Sequence, residues 1–260
     1  MSLPLEGRLD RSRGFFVWMA AALAVAVLWG FAPTYFFRAF ITTRDLSPLV
    51  HAHGFVFSAW IALFITQTVL VANHRTGIHR RLGLAGILLA TAVVGLGITV
   101  DVVSLRPAQR AAWEAAGGPV ASFAWLASRN AGDLMIFGVL VAAAVLLRRR
   151  SDAHKRLMLV ACLALMTAPM ARILDELGWP IVLTPFGFVA PLNLFNQAVA
   201  PLLSPLRMVN LIVLPFFLAL VWYDCSRTKR LHWATGAGGL VLFLFRPLFA
   251  IVLAVSQRWP

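Results

Sequence analysis

Residues 49–72 read LVHAHGFVFSAWIALFITQTVLVA. The stretch contains no Asp, Glu, Lys or Arg. About 20 apolar residues carry a helix across a hydrocarbon core of about 30 Å. Lipid offers no partner to an exposed backbone group, so a segment of this kind has to be helical. His51 and His53 then point about 200° apart, at about 100° per residue. Only one of them can face a bundle interior. His53 shares a stripe with Phe57 and Trp60 and is the inward candidate, whereas His51 belongs at head-group level. Gly54 leaves room for a neighbouring helix to approach closely.

The pattern recurs along the chain. Its 260 residues are 60% hydrophobic and only 13% charged, with a mean hydropathy of +0.82. Soluble domains carry about 25% charged residues. The fold class is therefore an all-α integral membrane protein. Apolar runs predict a bundle of about seven transmembrane helices, at roughly 14–37, 49–72, 82–103, 131–147, 157–177, 206–223 and 234–254. The first follows Arg8, Arg11 and Arg13 but is too long for a signal-peptide core, so it reads as an uncleaved span. The stretch 180–201 is apolar yet broken by Pro180, Pro185, Pro191 and Pro201, and reads as an outer loop or re-entrant segment. The whole chain, 1–260, forms one transmembrane domain.

A net charge of +13 would suit a nucleic-acid partner. The distribution excludes it, because the basic residues cluster in short stretches between apolar segments. The N-terminal tail and the loops 73–81, 148–156 and 224–232 hold 14 of the 23 Lys and Arg. That bias places the N-terminus in the cytoplasm and the C-terminus in the periplasm of a bacterial inner membrane, with lipids as the expected partners. Cys162 lies in an apolar run and Cys225 in a basic loop, so a structural disulfide is not expected.

Three basic loops end alike, in GIHRRLGLAG, DAHKRLMLVA and RLHWATGAGG. Their histidines, His79, His154 and His232, are 75 and 78 residues apart, which suggests three hairpin repeats after the first helix. With Arg80, Arg81, Lys155 and Arg156 they read as interface anchors for anionic lipid head groups. Haem held by two such histidines is the alternative. The water boundary and the adjacent basic residues suit phosphate better.

The opposite ends of the spans collect Asp101, Asn130, Asp133, Arg172, Asp175, Glu176 and Arg246. Ionisable groups in hydrocarbon are expensive and face the bundle interior. The expected site is a periplasm-facing pocket lined by His53, Asp133, Arg172 and Arg246, with His51 and Asp175 at its rim. Arg246 should pair with Asp133 or Asp175, and Arg172 with Asp175 or Glu176. A transition metal on His51, His53 and Asp133 is conceivable, but two arginines repel a cation. Arginine, histidine and an aromatic wall better suit a small anionic or quinone-like ligand. No HExxH, CxxC, Walker or GxSxG motif names a reaction. Three further readings stay open: haem- or metal-based electron transfer, proton-coupled transport, and a structural or assembly subunit whose ion pairs only fix helix register.

HGFVFSAW followed by Gln67, HRRLG at 79–83, Gly132–Asp133, AHKRLMLVACLAL from Ala153, Arg172, and YDCSRTKRLHWATGAGG from Tyr223 occur in this order. The set resembles a family of bacterial polytopic inner-membrane proteins described only as hypothetical. The likeness runs from about residue 50 onward, with AHKRLM its most specific element. His51 and the segment 180–201 fall outside the pattern. The resemblance implies a helical inner-membrane fold and brings no substrate or reaction.

Overall fold

The computed structural model describes residues 5–41, 45–104, 106, 111, 120–176, 182–184, 187–189, 213–227 and 229–256. Side chains at 5–13, 104, 120–129, 171, 174–176, 182–184, 187–189 and 246–256 lie outside that description. The architecture is helical: α1 Leu5–Phe31, α2 Arg38–Ile41, α3 Pro48–Ala72, α4 Thr76–Ser104, α5 Val120–Leu146, α6 Ser151–Ala164, α7 Thr167–Glu176, α8 213–227 and α9 Trp233–Ser256. Three stretches are long and apolar enough to cross a membrane: Gly14–Phe36, Pro48–Ala72 and Thr76–Val103. Asn130–Leu146 and Trp233–Phe245 are shorter apolar helices.

Two expectations change. The expected span 157–177 is two helices, α6 and α7, separated at Leu165–Met166. Pro169 explains the break, because it has no N–H for the carbonyl of Leu165 four residues earlier. The proline-rich stretch, expected as an outer loop or re-entrant segment, contains a short antiparallel hairpin, β1 Val182–Thr184 with β2 Gly187–Val189. Its remaining residues lie outside the described ones. Helix ends also shift: α4 starts at Thr76, which puts His79 inside its first turn.

Pro33 acts on α1 as Pro169 does on α6. The helix widens into a π turn over Ala32–Phe36, where Phe37 N–H donates to the Ala32 carbonyl at 2.7 Å. Such a turn absorbs the missing donor without ending the span. Ser47 caps α3, its hydroxyl accepting from Val50 N–H at 3.4 Å, with Pro48 at the first helical position. A tight turn with His74 at φ 61° returns the chain into α4.

Helix α6 sits at the centre. From Leu159 to Ala164 every residue is buried, and α1, α5 and α9 pack around it. Helices α3 and α4 pair with each other and close the bundle against α1 and α5. Leu23, Phe137, Leu159, Leu163, Leu220 and Leu242 form the fully buried core, with Trp60 edge-on to Phe137 at 5.0 Å. Leu84, Leu88, Leu146, Trp222 and Leu240 face outward, each more than half exposed. An apolar exterior of this extent suits a lipid surround.

Helix α1 reaches α7 at Gly30, packed on the backbone of Pro169. A Cβ at Gly30 would run into Pro169's carbonyl oxygen. Gly30→Ala is therefore expected to destabilise the fold by about 1–3 kcal/mol. Gly77→Ala meets nothing within 4 Å and should leave stability level or slightly higher. Thermal unfolding of the two variants in the same detergent measures the difference. Equal midpoints would contradict the close α1–α7 contact.

Candidate functional site

Polar residues gather in two layers, one at each end of the bundle. The layer away from the basic loops begins where α1 meets α3. Tyr35, in the π turn, lies against Gly54, where a Cβ would collide with its ring. Its hydroxyl donates to the His51 carbonyl at 3.2 Å. This contact fixes the first turn of α3. His51 points outward and is exposed. His53 is half-buried, its ring 4.2 Å from that of Phe57. The Nδ1 of His53 is buried with no hydrogen-bond partner.

The neighbouring helices add to this layer. Asp133 of α5 is buried and accepts from the Thr167 hydroxyl at 2.5 Å, at the first turn of α7. A carboxylate is well placed at a helix N-terminus, where unpaired N–H groups concentrate positive potential. Asp101 of α4 is buried, and its Oδ1 accepts from Asn130 Nδ2 at 3.3 Å. The Oδ2 of Asp101 is buried without a partner. Arg172 of α7 lies over the Phe31 ring at 4.5 Å and donates to the Ala168 carbonyl at 3.3 Å. It is within electrostatic reach of His53, as Asp133 is of Asp101.

The structure thus places His53, Asp133 and Arg172 at one end of the bundle, with Asp101 and Thr167 added to the sequence candidates. The side chains of Arg246, Asp175 and Glu176, and so the pairings expected for them, lie outside the described residues. Among the described residues no three His, Cys, Asp or Glu converge as a metal-binding group. A buried polar atom without a hydrogen bond costs about 1–3 kcal/mol. This layer holds two such atoms, His53 Nδ1 and Asp101 Oδ2. His53 Nδ1 can accept or donate according to tautomer, Asp101 Oδ2 can accept, and Arg172 supplies positive charge.

The other layer, beside the basic loops, is bonded differently. Arg156, expected at the head-group surface, is turned inward and only 3% exposed. Its Nε and a terminal nitrogen both donate to Asp224 Oδ1, at 2.8 and 2.6 Å. Asp224 Oδ2 accepts from Thr235 Oγ1 at 2.6 Å and from His232 N–H at 3.1 Å. Asp224 is fully buried, and these contacts join α6, α8 and α9. Asp224 was absent from the sequence candidates, because it stands at the head of a basic loop and reads as surface. One signal was present: it is one of only 10 acids in the chain, directly before that loop.

The three repeat histidines do different things. His154 Nδ1 meets the Ala144 carbonyl at 2.8 Å, tying α6 to the end of α5. His79 faces His154 with ring centroids 6.2 Å apart, and its carbonyl accepts from Gln67 Nε2 at 3.3 Å. His79 Nδ1 and Gln67 Oε1 are buried and unbonded. His232 Nδ1 accepts from Ala234 N–H at 3.1 Å, which requires the neutral ring. Arg80 and Arg81 remain exposed, and Lys155 bridges to Asp152 at 2.6 Å.

No protein-family model matches the chain, and neither the curated proteins nor the solved structures yield a match. Function is therefore legible only in the chain's own geometry.

Two expectations follow from the basic end. Asp224→Ala leaves Arg156 buried and uncompensated, and should cost about 3–5 kcal/mol. Asp152→Ala removes a partner that is 67% exposed and should cost under about 1 kcal/mol. Unfolding in detergent ranks the two, and a similar loss in both would contradict the buried pair. The second concerns pH. Burial, then the charge of Arg156, holds the His232 pKa below the ordinary histidine value. The folded state then binds fewer protons than the unfolded one, so stability is lost as pH falls below about 6.5. The unfolding midpoint should drop on acidification from about pH 7 to pH 5, and less steeply in His232→Gln. Parallel slopes would assign the drop to another group.

Proposed function

We propose that this chain is a seven-span protein of the bacterial inner membrane, N-terminus cytoplasmic and C-terminus periplasmic. Its periplasm-facing polar layer binds a small quinone-like ligand. The observation that carries this reading is the pair of buried, unbonded atoms in that layer, His53 Nδ1 and Asp101 Oδ2. A ligand with a carbonyl or hydroxyl and a flat apolar ring supplies what they lack. The carbonyl accepts from the His53 ring, and a hydroxyl donates to Asp101. The ring finds aromatic company in Phe57 and Phe31, already in contact with His53 and Arg172. Arg172 favours electron density on the ligand oxygen. Bound ligand of this class would sit in the half of the membrane from which lipophilic quinones are reached.

The direct experiment titrates detergent-purified protein with decylubiquinone and follows tryptophan quenching. Saturable binding is expected in the wild type. His53→Leu and Asp101→Leu should each weaken it about tenfold, the equivalent of about 1.4 kcal/mol for a lost hydrogen bond. Undiminished affinity in both variants would sink the reading.

A second reading, proton-coupled transport, draws on one observation. The α6–α7 break lies beside the Asp133–Thr167 bond, at an apolar depth where unwound backbone lines cavities in transporters. Proteoliposomes carrying a pH-sensitive dye separate the two. Uptake abolished by Asp133→Asn supports transport, whereas quinone binding without proton movement supports the first reading.

A further inference from the structure

At the basic end, three helices bring together side chains whose bonding is incomplete. His79 stands in the first turn of α4 and His154 in the first turn of α6, their rings edge to face with centroids 6.2 Å apart. Gln67, near the end of α3, donates from Nε2 to the His79 carbonyl at 3.3 Å. Only the amide nitrogen can donate to a carbonyl, so the other branch of Gln67 is the oxygen. That Oε1 is buried without a hydrogen bond, and so is His79 Nδ1.

His154 is set in one tautomer. Its Nδ1 lies 2.8 Å from the Ala144 carbonyl. A carbonyl only accepts, so this nitrogen carries the hydrogen and Nε2 keeps a lone pair. Metal-ligating histidines are held in the same way, one nitrogen donating to a backbone carbonyl and the other left for the ion. The Nε2–H tautomer of His79 makes its Nδ1 a second lone pair, and Gln67 Oε1 adds an oxygen. Two imidazoles that share an ion through one nitrogen each, at about 2.0–2.1 Å, have ring centres about 5–6.5 Å apart. The His79–His154 separation falls within that range.

The basic neighbours leave a cation room. Arg156 is paired with Asp224, and Lys155 with Asp152 at 2.6 Å. Arg80 and Arg81 are exposed, where water weakens their repulsion. The third histidine of this end is already engaged, since His232 Nδ1 accepts from Ala234 N–H.

We propose that His79, His154 and Gln67 form a site for one divalent transition-metal ion. Its ligands are two imidazole nitrogens and an amide oxygen, with a further position left to water. The amide completes the set, because no third His, Cys, Asp or Glu joins the two histidines among the described residues. Imidazole suits copper, zinc and nickel, and copper heads the order of affinity. The α3–α4 pair packs on α1 and α5, and the ion fastens it to the central helix α6 as well. The site lies at the opposite end from the layer around His53 and stands independently of ligand binding there.

Titration of the metal-stripped, detergent-purified full chain with Cu²⁺ tests this. One copper per chain should survive desalting, and its paramagnetic resonance should show coupling to two nitrogens. His79→Gln and His154→Gln should each weaken binding at least about tenfold, since even an outer partner of a ligating histidine is worth about that much. His79→Gln is the cleaner variant, because its Nδ1 has no protein hydrogen bond to lose. Gln67→Leu should weaken binding by a smaller factor. Copper should raise the unfolding midpoint of the wild type and not that of His79→Gln. His53→Leu and His232→Gln should keep the copper. A wild type that retains none would overturn the proposal and leave the cluster to a bridging water. Full retention by His79→Gln would make the copper adventitious, and its loss in His53→Leu would move it to the other end of the bundle. Either result also overturns the proposal.

Discussion

The Arg156–Asp224 pair is the contact on which the bundle depends. Removing two charges from water costs several kcal/mol for each, so a buried pair survives only when its hydrogen bonds are complete. Here they are. Asp224 takes two donors from Arg156, one from the Thr235 hydroxyl and one from the His232 backbone. Arg156 also donates to the Asp152 carbonyl at 2.8 Å. Between them these bonds fasten the central helix α6 to α8 and α9. Lipid-embedded helices have little hydrophobic reason to associate, since lipid is as apolar as leucine. One polar cross-link of this kind fixes depth and rotation together. The aromatic stack of Phe15 on Tyr223 then attaches α1 to the same point.

The two ends of the bundle use polar residues for different purposes. At the basic end the buried acid is fully bonded and the histidines mostly anchor backbone. Each end also keeps buried atoms without a partner, His79 Nδ1 and Gln67 Oε1 at the basic end and His53 Nδ1 and Asp101 Oδ2 at the far end. Asp133 is satisfied by Thr167, while His53 and Asp101 each keep one atom without a partner. The π turn at Ala32–Phe36 and the α6–α7 break both fall at this end. Irregular backbone at apolar depth is tolerated where it lines a cavity.

The sequence exposed the helices more readily than their setting. An uncharged run such as 49–72 can only be a helix in lipid, and α3 indeed covers Pro48–Ala72. The inward choice of His53 over His51 also followed from helical geometry. Two features were present in the letters yet passed over. Pro169 inside an apolar run implies a break four residues earlier, and a chain read by hydropathy alone bridges it. Asp224 looks like part of a basic loop because neighbours, not burial, are visible in sequence. Other features were out of reach. His79, His154 and His232 occupy equivalent places in similar loops, yet each bonds differently, because that depends on which helix end lies opposite.

The measurement that bears most directly on the central claim is an experimental density map of the detergent-purified protein around His53. The account expects a non-protein feature within hydrogen-bonding distance of His53 Nδ1, with Asp101 on its other side. A closed, dry layer in which both atoms bond only to protein would contradict it.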